Sequence, residues 1–209
     1  GIYILLTSLF YLILLTIVYF SKKRFLSIEN KIFKLLLVSN LIGIILDVSS
    51  MIIIPLQKYN LLGLIVNKMF LVYLVTWITL FTFYTYFISK YDTKEFFKRK
   101  NIFKYLFYII IVLIFVLPIE FVVSEKGVYS YGGGTMFIYM YSIVCIYLMI
   151  KMTISNYKKI GRKKYLPILS FLGIGSVVIV IQFLNPYLLL MTPVETFITF
   201  LMYFTIENP

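Results

Sequence analysis

The sequence predicts an all-α polytopic membrane protein of seven transmembrane helices, with the amino end outside and the carboxyl end cytoplasmic. Three observations predict it. Hydrophobic residues make up 62% of the 209 positions and mean hydropathy is +0.98, well above the roughly 45 to 50% apolar content of soluble domains. Apolar stretches of spanning or near-spanning length follow one another with no soluble domain between them. Of the 20 lysines and arginines, all but Lys58, Lys68 and Lys126 fall in the connections after spans one, three and five. By the positive-inside rule those connections face the cytoplasm.

The first span, about Ile2 to Phe20, carries no charge, and neither a basic leader segment nor a small-residue cleavage site marks it as a signal peptide. Lys22, Lys23, Arg24, Lys31 and Lys34 surround the connection to the second span, about Ile32 to Ile54, which contains Asp47 and stops at Pro55. A short polar loop, Gln57 to Asn60, leads to the third span, about Leu62 to Ile88, with Lys68 near its start. The charged connection Lys90 to Lys104 precedes the fourth span, about Tyr105 to Val123, which has Pro118 and Glu120 near its far end. Ser124 to Gly134 reads as the most flexible stretch, because three consecutive glycines add conformational freedom. The fifth span, about Thr135 to Ile150, gives way to a basic connection ending at Lys164, and the sixth is Leu166 to Leu184. Asn185 and Pro186 turn the chain into the seventh. There Thr192, Pro193 and Glu195 have the spacing of N-cap, N1 and N3 in a capping box, and the helix continues to Glu207. At about 1.5 Å per residue this helix spans roughly 25 Å, a short crossing.

Composition removes several function classes. The chain has no histidine, so a phospho-accepting histidine, histidine haem ligation and the usual histidine zinc sites are absent from it. Cys145 is the lone cysteine, in an apolar run, and reads as a small buried hydrophobe. A net charge of +12 would suggest a nucleic-acid partner in a soluble protein, but here topology accounts for the charge and no nucleic acid is expected. Gly173-x-Gly175 lies in an uninterrupted apolar run, where close helix packing is the expected role.

The candidate functional residues are those at membrane depth: Asp47, Lys68, Glu120, Gln182 and Glu195. An ionisable side chain inside a bilayer costs about 2.5 to 3.5 kcal/mol on insertion scales and therefore faces the bundle interior and pairs. The expectation is an outward-facing polar pocket in which Lys68 pairs with Asp47 or Glu195. Helical spacing places Asn40, Gly43, Asp47 and Ser50 on one side of the second helix, and Thr192, Glu195, Thr196, Thr199 and Tyr203 on one side of the seventh. Structural readings stand beside this: Glu195 as a helix cap, Glu120 solvated at the interface, and Lys68 snorkelling to the outer headgroups.

The run TPVETFITFLMYFTIENP, Thr192 to Pro209, resembles the last transmembrane segment of the seven-helix sensor region of bacterial histidine kinases. The basic connection SKKRFLSIENKIFKLLL, Ser21 to Leu37, is similar to that family too. The resemblance implies a signal-input domain over residues 1–209, itself not an enzyme and without a cofactor. Beyond residue 209 it implies a kinase domain using ATP and magnesium, a homodimer in the bacterial cytoplasmic membrane, and a response regulator as downstream partner. Membrane lipids and an extracellular or membrane ligand are the partners expected of the segment itself. A small transporter with an outer-half charged substrate site is the competing reading. A retinal photoreceptor is excluded because no lysine follows Lys164.

Overall fold

A computed structural model describes residues 2–23, 27–56, 60–89, 93–124, 127–156 and 162–207. The helices are α1 (Ile2–Ser21), α2 (Ile28–Ile53), α3 (Asn60–Ser89), α4 (Thr93–Val116), α5 (Gly133–Ser155), α6 (Arg162–Ser170), α7 (Ser176–Leu184) and α8 (Met191–Glu207). Five stretches are long and apolar enough to cross a membrane: Tyr3–Ser21, Ile28–Leu56, Leu61–Ser89, Gly133–Ser155 and Lys164–Leu184. Two shorter apolar helices, Lys104–Val116 and Met191–Ile206, accompany them. The all-α class and the membrane character hold. Large apolar side chains such as Phe10, Val116 and Ile154 point outward, as they do in a bundle whose surroundings are hydrocarbon rather than water.

Helix α3 lies at the centre. It packs against α2, α4 and α5, while α8 packs against α1, α2, α6 and α7. The side chains of Leu71, Tyr73, Val75, Trp77, Phe81, Tyr84 and Ile88 are all buried, so α3 is enclosed on more than one side. Threonines within the spans donate their hydroxyl protons to the carbonyl four residues back, as Thr76, Thr79, Thr82 and Thr85 do along α3. That bond removes the cost of a free donor in an apolar interior. At the opposite end from residue 120, Glu29 on α2 pairs with Lys164 on α6.

Several boundaries differ from the sequence reading, each for a local reason. Helix α2 starts at Ile28 because Ser27 caps it, its hydroxyl accepting from the Asn30 amide at 3.1 Å. Helix α4 starts at Thr93, so much of the charged connection is itself helical. It ends at Val116, ahead of Pro118, and does not reach Val123. The stretch expected to be flexible instead contributes to an antiparallel hairpin, β1 (Glu120–Ser124) with β2 (Gly127–Tyr131), in which Glu120 faces Tyr131. Gly132 closes it at φ +113°, and a Cβ there would stand 2.9 Å from the Pro118 carbonyl oxygen. A side chain at this position is therefore excluded by both torsion and space.

Helices α6 and α7 form one span through a wide π turn, Phe171–Gly175, in which the Ser176 amide reaches the Phe171 carbonyl. Gly173 faces open space, and a Cβ on Gly175 would meet the Phe171 ring at 2.8 Å. Gly175 thus accommodates the Phe171 ring, and Gly173 is not the site of a close helix contact. Gln57 to Tyr59, Lys90, Asp92, Glu125, Lys158 and Lys159 lie outside the described residues.

Candidate functional site

The polar face of α2 meets the polar face of α8. Asn40, Gly43, Asp47 and Ser50, three or four residues apart, are all buried, as are Thr192, Glu195, Thr196, Thr199 and Tyr203. Thr196 and Thr199 donate to the carbonyls of Thr192 and Glu195. Their oxygens are left as acceptors, and Asn40 Nδ2 donates to both at 3.3 Å. This fixes the Asn40 amide, because its oxygen in that place would face two hydroxyls whose protons are already committed. Asn40 Oδ1 consequently points to Tyr73 on α3, whose hydroxyl lies 3.0 Å away and also hydrogen-bonds Glu195 Oε2. A phenol has one proton to donate, so Asn40 and Glu195 compete for it. Nearer the start of α8, Thr192 donates to Asp47 Oδ2 at 2.7 Å.

Two carboxylates, Asp47 at 3% exposure and Glu195 at 2%, therefore sit in the same buried cluster. Neither makes an ion pair with a lysine or arginine among the described residues. Both border a cavity of about 100 Å³ at the hairpin end of the bundle. Tyr129 and Ser130 of β2, with Pro186 and Leu189 of the connection before α8, contribute to that end. Toward the other end the cavity meets Phe171, whose ring lies 5.5 Å from that of Trp77 and 5.0 Å from that of Phe81. Trp77 and Phe81 stack at 5.2 Å and are wholly buried, so an aromatic layer forms the floor.

Of the five candidate residues, Asp47, Gln182 and Glu195 border this cavity. Gln182 is also a cap: its Oε1 accepts from the amides of Leu190 and Met191 at 3.2 and 3.1 Å, satisfying the start of α8 from another helix. The capping box is corrected accordingly. Helix α8 opens at Met191, ahead of Thr192, and the side chains of Thr192 and Glu195 turn to Asp47 and Tyr73.

Lys68 does not pair with Asp47 or Glu195. It donates to the carbonyls of Phe115 and Leu117, the latter at 3.1 Å. The carbonyls at the end of α4 have no helical partner and carry partial negative charge, which suits an ammonium. Glu120 opens β1, is exposed, and does not border the cavity. The sequence reading missed Tyr73, one of 19 tyrosines. The available signal was Gly43 on the polar stripe of α2, where an absent side chain makes room for a ring. Among the described residues no group of three His, Cys, Asp or Glu side chains could hold a metal ion.

No protein-family model, curated protein or solved structure matches this chain. Fold and site together define an all-helical protein of the membrane class with an acidic, aromatic-floored cavity at one end of its bundle.

Proposed function

We propose that this chain is the membrane-embedded signal-input domain of a bacterial sensor, with seven crossings, an external amino end, and a histidine kinase as its output. One observation carries the reading: both cavity carboxylates are joined to the beginning of α8, Asp47 through Thr192 and Glu195 as one of its own residues. A ligand in the cavity contacts the helix that leads to the cytoplasmic side, and it shifts that helix only if it binds two of its arrangements with different affinity. The kinase output, its ATP and magnesium, the homodimer and the response regulator follow from the resemblance of Thr192 to Pro209 to that family's exit helix. A small transporter accounts for the two acids, but it needs a path past Trp77, Phe81 and Phe171, which are buried against one another beneath the cavity. A closed floor favours reception over passage.

The test is to read the open frame past Pro209 and assay phosphate incorporation from ATP by the full-length protein in membrane vesicles. The proposal expects a phospho-accepting histidine and an ATP-binding core, and an output altered by Asp47→Asn and by Glu195→Gln. A frame without any output domain, combined with solute flux that depends on Asp47, would replace it with the transporter.

A further inference from the structure

The cavity at the hairpin end offers hydrogen-bond acceptors in excess. Thr192 occupies one oxygen of Asp47 and Tyr73 one oxygen of Glu195, and their second oxygens make no hydrogen bond among the described residues. Asn67, on α3, is 5% exposed and borders the same cavity, and its Oδ1 has no partner. Thr135 Oγ1, at the start of α5 and on the same wall, has none either. A buried amide oxygen without a donor carries a desolvation cost of about 1 to 3 kcal/mol, and the carboxylates of Asp47 and Glu195 with the Asn67 amide, three acceptor groups on three helices bordering one cavity, define what would relieve it. The missing component is a positively charged group bearing several N–H donors.

The remaining lining narrows the class. Phe70, Leu74, Ile138 and Phe171 contribute apolar wall, no lysine or arginine among the described residues borders the cavity, and its volume is about 100 Å³. That is room for roughly three or four water-sized groups. A divalent metal ion gathers six or more oxygen ligands on all sides, and the wall of Phe70, Leu74, Ile138 and Phe171 supplies none. A guanidinium spreads its charge over a wide plane, whereas a compact ammonium presents three donors from one point.

We propose that this cavity binds a small primary alkylammonium ion, its head among Asp47, Glu195 and Asn67 and its short alkyl body against Phe70, Leu74 and Phe171. The assignment deepens the reading of the cavity as a receptor site and rests on it. Positive charge fits the two carboxylates, three N–H donors match the free acceptors, and the alkyl part occupies the space that water would fill poorly.

Trp77 is the sole tryptophan and lies one ring away from the cavity through Phe171, so its emission reports occupancy. The experiment titrates n-propylammonium chloride into the protein in lipid nanodiscs, with n-propanol, sodium propionate and sodium chloride as matched controls. The expected result is a saturable change with the amine alone, weakened at least about tenfold in Asp47→Asn and in Asn67→Leu. Propanol controls for partition into lipid, and sodium chloride for a bare monovalent cation. A saturable change of equal affinity with propanol or sodium, or no saturable change with the amine, overturns the assignment. The wild-type comparison decides the matter even where Asp47→Asn fails to fold, and Trp77 emission without ligand identifies that failure. An amine that binds yet leaves phosphate incorporation by the full-length protein unchanged sinks the sensor reading alone. An output that responds to Glu195→Gln in a protein blind to amines sinks the ligand assignment alone.

Discussion

The ring of Tyr73 occupies the space that Gly43 leaves on α2: a Cβ at position 43 would stand 2.1 Å from Tyr73 Cζ. The slot is what lets a tyrosine on α3 reach across to Asn40 on α2 and Glu195 on α8. Gly43→Ala is expected to expel the ring and break both bonds at once. Overpacking of this kind costs about 1 to 3 kcal/mol, and the lost hydrogen bonds to buried acceptors add to it. Tyr73→Phe removes only the hydroxyl and keeps the packing. Thermal unfolding in detergent should therefore show Gly43→Ala as the more damaging change. The double variant should fall short of the sum of the two, since both act on one contact. Strict additivity would mean that position 43 and the phenol are independent.

The helical class and the two polar stripes were legible in the sequence because they depend on composition and on a 3.6-residue period. Asn40, Asp47, Thr192 and Glu195 share one buried cluster as that period implies. Partner choice was not legible. Lys68 and Asp47 are opposite charges at similar depth, yet the lysine is taken by the end of α4, whose position follows from Pro118 and from a hairpin closed by Gly132. Gln182 was visible as polar but not as a cap, because the amides it satisfies belong to a segment eight and nine residues away around a turn. Tyr73 was hidden among many aromatic residues with the same apolar body.

If Lys68 caps α4, Lys68→Met should loosen the end of α4 and leave the acidic cavity intact. The expected cost is about 0.3 to 2 kcal/mol, the range for a cation at a helix C-terminus. Hydrogen exchange should rise locally in the amides before the hairpin. Amine affinity should stay within about twofold of the wild type, since no ion pair to Asp47 or Glu195 is lost. A large gain in affinity on removing Lys68 would show that its charge does reach the carboxylates.

The orientation of the Asn40 amide predicts an order of severity at that position. Asn40→Ala deletes the donor to Thr196 and Thr199, whose own protons remain bonded to α8, and should cost about 1 to 3 kcal/mol. Asn40→Asp keeps the shape but turns an oxygen toward two hydroxyl oxygens with committed protons and adds a third buried carboxylate, a larger penalty. Unfolding midpoints should rank wild type above Ala and Ala above Asp. An aspartate as stable as alanine would mean that one of the threonine hydroxyls rotates to donate.

The crossing of α4 gives the sharpest test of a seven-span arrangement. Its apolar part, Lys104–Val116, is 13 residues, about 20 Å of helix against a hydrocarbon core of roughly 30 Å. A span this short crosses only if the basic turns before Lys104 extend their side chains to the headgroups and the bilayer thins locally. The proposed seven-span topology needs it to cross, with Lys104 inside and Glu120 outside. Cys145 is the sole native cysteine and is buried, so Cys145→Ser supplies a silent background for single cysteines at 104 and 120. In intact cells a membrane-impermeant maleimide should label Glu120→Cys at once, and Lys104→Cys only after permeabilisation. Labelling of both from the same side would make α4 a re-entrant helix and leave an even number of crossings. The two chain ends would then share a side, and α8 would no longer connect an outer cavity to a cytoplasmic output.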